Sequence, residues 1–596
     1  MFAATRTLLL LGAAGLSLAA CATTAGEKDG LRPTAAADPV AAPGAPVPKV
    51  SDLQFQPAAV DASDYGLFLA GNAALGAGDS ATAARYLSQL ATTENAEPFL
   101  KERAFTASLL AGDITQAAKL APNAPDTTQA TQRLGRLTKA VEAMAQNRAL
   151  EAVTALNTDF EGPPHGTAAA LLAPWAAAMA GENDPKPLMI KAPDAGAADL
   201  LARYSQAELL ERAKKYKEAE TAYKELYEKA QNFGLAGLGY GEFLERRGRK
   251  NDAAAVYDAM LKQNPDNQSA KLARARLQGG RGKTPALATD SQGAAQALIG
   301  LAANLVGRQQ ENAFVYLRLA LRLDPNRNDA WVLLGDFLQQ AGDRTAARQA
   351  FSRVPANAPE FLAARMRLAA SFEADEDVQG ALKVARETVA SVPDDSDAQT
   401  LLANLLITAK DYDASVKVLD KLIAANTAKP NWRLNYFRAM AYERAGRWTE
   451  AEADLQKALT LAPNQPEVLN YLGYSWADRG EHLPEALQML IKAYNANPNS
   501  GAILDSLGWV YYRMGQYDRA VQQLERAVVL DPADPDVNNH LGDAYWRQNR
   551  QLEARFQWQR VLSLQADDKL KEEVKAKLQS GLPTLPALKT AAAGGA

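Results

Sequence analysis

Cysteine and histidine, the usual metal ligands and strong nucleophiles, are scarce in this sequence of 596 residues. There is one cysteine, and the three histidines are His165, His482 and His540. A single cysteine excludes a disulfide within the chain. No histidine has another histidine, a cysteine or an acidic residue at metal-ligand spacing on the same predicted helix. The sequence therefore indicates neither a zinc site nor a catalytic metal centre.

An excess of charge of one sign is also missing. Lysine and arginine number 65 and aspartate and glutamate number 69, which leaves a net charge of -4. Proteins that bind nucleic acid usually carry a basic face that neutralises phosphates. We therefore expect no nucleic-acid partner.

The glycine motifs of nucleotide-binding enzymes are incomplete. Gly282-Lys283-Thr284 resembles the end of a phosphate-binding loop, but that loop requires glycine five residues before Gly282, where Leu277 stands. Residues 237–241 contain three alternating glycines, yet no strand precedes them, and close helix packing explains them better. We therefore expect no catalytic residues and no cofactor, and predict that the protein is not an enzyme.

The amino-terminal apolar run is too short to cross a membrane. It covers residues 8–18, which is 11 residues, whereas a membrane span needs about 20. Arg6 precedes it and Leu18-Ala19-Ala20-Cys21 ends it, which predicts a signal peptide at residues 1–20. These last four residues resemble the lipobox of bacterial lipoproteins. The resemblance implies cleavage before Cys21 and lipidation of that thiol with acyl chains such as palmitate; the alternative is that Cys21 is merely a small apolar residue.

The residues after Cys21 indicate which membrane would hold the anchor and how far the folded part can lie from it. Ala22 follows, and in lipoproteins of proteobacteria an aspartate there commonly signals retention in the inner membrane. The resemblance therefore implies an outer-membrane anchor, usually facing the periplasm. Residues 21–57 are rich in alanine and proline and predict a disordered tether that lets the folded part stand off the membrane.

A period of about 34 residues runs through much of the remaining chain. It is carried by small residues at the start of successive predicted second helices, here called the ladder residues: Ala313, Ala347, Ala381, Ser415, Ala451, Ala486, Ala520 and Ala554, preceded by Ala219 and Ala253 and, more weakly, by Ala83, Ala117 and Ala152. Leu507-Gly508-x2-Tyr511 adds the glycine–aromatic element of tetratricopeptide repeats. The period predicts an all-α, right-handed solenoid of about 10 to 13 such repeats, in which a small residue on each first helix lets the second approach closely and each repeat supports the next.

Interruptions of the period predict the domain organisation. The predicted segments are the signal peptide (1–20), the lipidated tether (21–57), degenerate helical repeats (58–160), an irregular segment that is a divergent repeat or a hinge (161–200), two repeats (201–277), a linker (278–290), eight repeats (291–566), a charged capping helix (567–579) and a disordered tail (580–596).

The first helices of the last four predicted repeats carry a stripe of aromatic and amide or acidic residues on the face that would line the groove of a solenoid. We predict that this stripe binds a partner, since concentrated aromatic side chains are typical anchors of protein interfaces. For each ring the alternative is that it packs against a neighbouring helix. The predicted groove residues are Tyr436, Asn470, Tyr474, Asp505, Trp509, Tyr512, Asn539, Asp543 and Trp546. Trp509, Tyr512 and Trp546 lie outside the predicted core positions, so truncating Trp509 and Trp546 is expected to weaken binding without unfolding the protein.

The carboxyl-terminal repeats resemble a family. Residues 470–475, 505–512 and 540–546 are similar to the last repeats of large tetratricopeptide lipoproteins of proteobacteria. One member is an adaptor for a periplasmic carboxyl-terminal processing protease, and a shorter lipoprotein plays a comparable role. The resemblance covers roughly residues 430 to 560. It implies a non-catalytic adaptor whose partners are envelope proteins, namely a protease and cell-wall hydrolases; the alternative is an assembly scaffold for pilus, secretion or polysaccharide-export machinery. The sequence leaves the oligomeric state open.

Overall fold

The computed structural model describes residues 63–92, 97–122, 127–157, 160, 162, 164–182, 196–279 and 283–583. Every regular element in these ranges is a helix, which confirms the predicted all-α fold class. Cys21, the predicted signal peptide and tether, and the chain beyond residue 583 lie outside the described residues. No helix in the described ranges has both the length and the apolar composition that a membrane span requires.

The chain divides into two compact units between residues 392 and 393. The helices of the amino-terminal unit are α1 (Asp64–Gly76), α2 (Ser80–Ala91), α3 (Pro98–Ala111), α4 (Ile114–Leu120), α5 (Gln129–Ala145), α6 (Ala149–Leu156), α7 (His165–Met179), α8 (Gly196–Arg212), α9 (Tyr216–Lys229), α10 (Gly234–Arg246), α11 (Lys250–Gln263), α12 (Gln268–Leu277), α13 (Asp290–Leu305), α14 (Gln310–Leu323), α15 (Asn328–Gln340), α16 (Arg344–Ser352), α17 (Phe361–Glu373) and α18 (Val378–Ser391).

The carboxyl-terminal unit continues the same pattern of paired helices and ends on an unpaired one. Its helices are α19 (Ser396–Thr408), α20 (Tyr412–Ala425), α21 (Trp432–Arg444), α22 (Trp448–Leu461), α23 (Pro466–Arg479), α24 (Leu483–Ala496), α25 (Gly501–Arg513), α26 (Tyr517–Leu530), α27 (Pro535–Arg547), α28 (Gln551–Ser563) and α29 (Asp568–Ser580).

Each helical hairpin turns through a residue in the left-handed region of backbone space. Glycine holds this position in many turns, such as Gly78 (φ 81°) and Gly515 (φ 74°), because it has no Cβ to clash. Asn147, Lys410 and Asn549 occupy the same position in other hairpins. The described part of the chain contains thirteen such hairpins, with α7, α12 and α29 unpaired.

Small residues explain why the period appears in the sequence. All thirteen ladder residues have no exposed surface. A Cβ added to Gly508 on α25 would lie 2.5 Å from the Leu524 side chain on α26, and one added to Gly542 on α27 would lie 2.5 Å from the Trp558 ring on α28. Both distances are far below van der Waals contact. The two helices of a hairpin can therefore approach this closely only where the first helix has no side chain.

The amino-terminal unit departs from the expectation that each repeat stacks on the next. After α12 the chain returns, and α13 packs against α7 and α8. A Cβ on Gly293 of α13 would overlap the fully buried ring of Trp175 on α7. The next helix, α14, lies against α5, where the Arg322 guanidinium donates to the Glu142 carboxylate at 2.8 Å. Because α7 has no hairpin partner, α13 covers its apolar face.

The last helix, α29, covers the end of the carboxyl-terminal unit. Val574 is fully buried in one cluster with Trp558 and Val561 of α28. The remaining surface of α29 is mostly charged, as its exposed Lys575 and Glu572 illustrate. An apolar side toward the last repeat and a charged side toward solvent are what the end of a repeat stack requires.

Candidate functional site

The first helices of the carboxyl-terminal unit form one continuous surface, here called the inner face. The Tyr474 ring on α23 lies 6.2 Å, between centroids, from the His540 ring on α27, although α25 separates these helices in the chain. Trp509 of α25 stacks on the same imidazole at 4.1 Å. Side chains two repeats apart meet only where successive first helices converge. The predicted groove residues therefore do lie on one face.

Burial on this face is deeper than the sequence suggested. Tyr474 is 7% exposed and Trp509 is 9% exposed, and both belong to one apolar cluster that Tyr436 and Tyr512 also contact. Trp546 is half-buried and packs at 5.4 Å, between centroids, from Trp558. The expectation that Trp509 lies outside the core was wrong, whereas Tyr512 and Trp546 are half-buried and pack against the core. Convergence of the first helices brings residues of that face into contact with each other and excludes water.

The acidic and amide groups near the end of the inner face are already engaged. Lys577 of α29 reaches back and donates to Asn539 Oδ1 at 2.9 Å and to Asp543 Oδ2 at 2.8 Å. Trp558 donates its indole N–H to Asp543 Oδ1 at 2.9 Å. Asn539 and Asp543 were predicted to contact a partner, but the structure engages both of them within the chain. α29 satisfies them because a buried carboxylate needs a compensating cation.

A buried histidine on the inner face escaped the sequence analysis. His540 Nδ1 lies 2.9 Å from Asp505 Oδ1, and both side chains are buried. Burial alone would lower the pKa of His540, but the charge and hydrogen bond of Asp505 raise it to about 9. Burial raises the pKa of the neighbouring Asp536 to about 6. The available signal was an aspartate and a histidine at adjacent positions of consecutive first helices.

The first part of the inner face, on α19, α21 and α23, carries half-buried polar and aromatic side chains. Tyr436 and Asn470 are half-buried there. The Asn470 Oδ1 atom is buried without a hydrogen-bond partner, and so is Asn404 Oδ1 on α19. Asn404 precedes its ladder residue by the same eleven positions as Trp509, which places it on the same face. A buried amide oxygen without a donor costs free energy that a bound N–H group would restore.

The chemistry of the inner face suits binding. In the described part of the chain, no three histidine, cysteine, aspartate or glutamate side chains are arranged to hold a metal ion. The face carries aromatic rings and two amide oxygens, of Asn404 and Asn470, that have no hydrogen-bond partner within the chain. Rings supply contact area at low entropic cost, and amide oxygens accept from a peptide backbone. An extended polypeptide segment matches this arrangement.

Comparison with known proteins identifies the repeats. Models described as tetratricopeptide repeat match residues 210–277, 315–360, 332–396 and 400–466, and one described as TPR repeat matches residues 508–549. A segment of 110 residues is 38% identical to the TPR repeat-containing protein PA4667 of Pseudomonas aeruginosa and spans 18% of this chain and 18% of that protein. A segment of 227 residues is 22% identical to Superkiller complex protein 3 of Mus musculus and spans 37% of this chain and 12% of that protein.

Solved structures give further likenesses. The complex of Cut9 and Hcn1 aligns over 88% of this chain and 97% of that chain, at 14% identity and a TM-score of 0.36. A tetratricopeptide repeat protein from Parabacteroides merdae aligns over 42% of this chain and 97% of that chain, at 15% identity and a TM-score of 0.35. The family models and the ladder of buried small residues agree that residues 210–277, 315–396, 400–466 and 508–549 carry tetratricopeptide repeats, a fold that generally mediates protein–protein interactions.

Proposed function

We propose that this protein is a lipid-anchored adaptor in the bacterial envelope. In this proposal Cys21 holds the chain in the outer membrane, the repeats face the periplasm, and the inner face collects a carboxyl-terminal processing protease together with the cell-wall hydrolases that it degrades. The amino-terminal residues 1–21 support the anchor. The resemblance of the last repeats to adaptor lipoproteins supports the class of partner.

One observation carries the binding role. Asn404 and Asn470 are half-buried residues of the inner face, and the Oδ1 atom of each has no hydrogen-bond partner within the chain. A protein that only stacked its own helices would gain stability from apolar residues at these positions. In the proposal, backbone N–H groups of the partner donate hydrogen bonds to these two amide oxygens.

Asn470→Leu tests the binding role. The substitution removes the orphaned oxygen at nearly constant volume, so the melting temperature should stay the same or rise while partner capture weakens at least about tenfold, as expected when one buried hydrogen bond of an interface is lost. Gln557→Leu is the matched control, because Gln557 Oε1 is also buried without a partner but lies on the second helix α28. Equal loss of capture in both variants would contradict a role for the inner face.

Photocrosslinking in cells identifies the partner. A photoreactive phenylalanine analogue at position 436 should capture the protease, whereas the same analogue at the exposed Phe556 of α28 should not. Capture of a pilus, secretion or polysaccharide-export component at position 436 would replace the adaptor proposal with the assembly scaffold. If neither position captured a specific protein, the proposal that the inner face binds a partner would be refuted.

Lipid labelling tests the anchor separately. Cys21→Ala should abolish incorporation of labelled palmitate and prevent cleavage by the lipoprotein signal peptidase. Unchanged labelling would refute lipidation at Cys21. Because Cys21 is the only cysteine in the chain, no other thiol can take its place.

A further inference from the structure

The first helix of the amino-terminal unit exposes an apolar side along its whole length. Tyr65, Leu69, Ala73 and Gly76 of α1 are all exposed, and their spacing places them on one side of the helix. Tyr65 is 71% exposed and Leu69 is 49% exposed. The one charged residue of α1 is Asp64, at its first position. No charged side chain therefore interrupts this side of the helix.

A ring of α3 extends this apolar surface. Phe99 is 52% exposed, and its ring lies 6.2 Å, between centroids, from the ring of Phe68 on α1. Phe68 is a neighbour of Tyr65 on the helix surface, because residues three apart lie side by side on a helix. The two helices therefore present one exposed apolar surface, here called the α1 patch, which consists of Tyr65, Leu69, Ala73, Gly76 and Phe99.

The first and last helices of the described chain differ in what they turn to solvent. α29 covers the last repeat and exposes charged side chains such as Lys575 and Glu572. α1 begins the first hairpin and exposes tyrosine and leucine instead. Terminal elements of a repeat stack need a polar outer face for solubility, and exposed apolar surface that is concentrated in one place usually marks a contact. The α1 patch thus indicates a contact that the described residues do not make.

The size of the α1 patch argues against a second copy of the chain as its partner. α1 has 13 residues. A helix of this length is about 20 Å long, so one side of it and one ring of α3 offer roughly 200 to 300 Å² of surface. A stable interface between two proteins buries about 800 Å² on each partner. A contact surface several times smaller needs a partner that is held close by other means.

The position of α1 in the chain supplies such a partner. α1 begins at Asp64, roughly 40 residues after Cys21, a length of chain that reaches only tens of ångströms as a flexible coil. In the proposed function a lipid on Cys21 is inserted in the membrane, so the local concentration of bilayer around α1 is high and a small contact is sufficient. Tyrosine, phenylalanine and leucine are side chains that bind well at the boundary between headgroups and acyl chains.

We propose that the α1 patch lies on the surface of the membrane, with Tyr65, Leu69 and Phe99 inserted at the boundary between headgroups and acyl chains. The inference rests on the lipid anchor of the proposed function, which keeps the membrane near α1. The helix lies along the membrane surface, since its 13 residues are fewer than the about 20 that a span needs. The contact holds the amino-terminal unit against the membrane instead of at the full length of its tether.

Co-sedimentation with vesicles tests the contact without the anchor. The unlipidated chain from residue 22 onward retains every described residue, and it should bind vesicles of phosphatidylethanolamine and phosphatidylglycerol. Tyr65→Ser combined with Leu69→Ser should weaken binding at least about tenfold, because the apolar area that enters the bilayer is lost. The matched control is Leu552→Ser combined with Phe556→Ser, at side chains of α28 that are 82% and 67% exposed, and it should leave vesicle binding unchanged. Because all four side chains are exposed, both variants should keep the melting temperature of the wild type.

Four results would overturn the proposal. The first two are absence of vesicle binding and equal binding by the α1 variant and the α28 control. The third is a dimer in analytical ultracentrifugation that the α1 variant dissociates, which would assign the α1 patch to a second copy. The fourth is stronger vesicle binding in Phe55→Ser, which would assign the patch to residues 51–62 of the same chain.

The anchor and the α1 patch can fail independently. Lipid labelling of Cys21→Ala tests the anchor in cells, whereas co-sedimentation uses a chain without lipid. Vesicle binding by that chain would therefore persist if Cys21 were not lipidated, and labelling of Cys21 would persist if the α1 patch did not touch the membrane.

Discussion

At the scale of single residues, two buried histidines are shifted in opposite directions by their surroundings. The Asp505 carboxylate, 2.9 Å from the imidazole of His540, raises the pKa of this histidine to about 9 although burial alone would lower it. Burial, with a smaller contribution from Arg133, lowers the pKa of His165 to about 4, and its ring lies 2.8 Å from the Tyr316 hydroxyl, which is neutral. The charged or neutral partner on the facing helix thus decides whether the buried imidazole is protonated or neutral at pH 7.

The first prediction concerns alkaline pH. The folded-state pKa of His540 lies above the ordinary value of 6.5. The contribution of the protonated imidazole to the free energy of unfolding is therefore full below pH 6.5 and is lost as the pH rises to about 9. The loss should be on the order of 3 kcal/mol. Asp536, with its pKa near 6, titrates mostly below this window. Urea unfolding of the carboxyl-terminal unit should show this slope, His540→Gln should flatten it, and the exposed His482→Gln should not.

The second prediction concerns acidic pH and has the opposite sign. The folded-state pKa of His165 lies below its ordinary value. The contribution of the neutral imidazole to the free energy of unfolding is therefore full above pH 6.5 and is lost as the pH falls to about 4. Hydrogen exchange should show α7 losing protection over this range in the wild type. His165→Gln should remove that pH dependence in α7. A wild-type α7 that stays equally protected at pH 4 and pH 7 would refute the argument.

At the scale of single elements, α29 covers the last repeat and also supplies Lys577 as the ion-pair partner of the buried Asp543. The third prediction is that Lys577→Met destabilises the carboxyl-terminal end by about 3 kcal/mol or more, because Asp543 would stay buried without its ion pair. Protection should be lost first in α27 to α29. Lys575→Met on the exposed side of the same helix should change stability by no more than about 0.5 kcal/mol.

The inner-face helices carry the fourth prediction, which reverses the expectation from the sequence. Trp509 is 9% exposed and stacks on both Tyr512 and His540. Trp509→Ala should therefore cost about 3 to 5 kcal/mol and lower the melting temperature. Phe556→Ala, at a ring that is 67% exposed on α28, should have little effect. A normal melting temperature for Trp509→Ala would mean that this ring belongs to the binding surface rather than to the core.

At the scale of the whole chain, packing order and sequence order differ within the amino-terminal unit. The fifth prediction tests the contact between α13 and α7: Gly293→Ala should destabilise both helices, because the new Cβ overlaps the buried Trp175 ring. Gly234→Ala at the start of α10 meets no atom within 4 Å and should be neutral or slightly stabilising. Hydrogen exchange resolves the helices; equal protection in both variants would contradict the packing.

The sequence by itself determined the repeats. Each ladder residue and the small residue facing it lie within one hairpin, about 12 positions apart, so the requirement for small side chains returns with every unit and is visible as a period. The left-handed turn position was visible only where glycine fills it. Lys410 and Asn549 hold the same conformation, since the cost of roughly 1 to 2 kcal/mol is small beside the packing of a hairpin.

Only the tertiary structure decided which side chains of different repeats meet. The pairings of Lys577 with Asp543, Asp505 with His540, and Gly293 with Trp175 join residues 34 to 118 positions apart, and none of them recurs from repeat to repeat. A period reports only contacts that every unit makes. Burial of a ring or neutralisation of a carboxylate depends on which side chain the next helices bring to it, and that is set by how the helices converge.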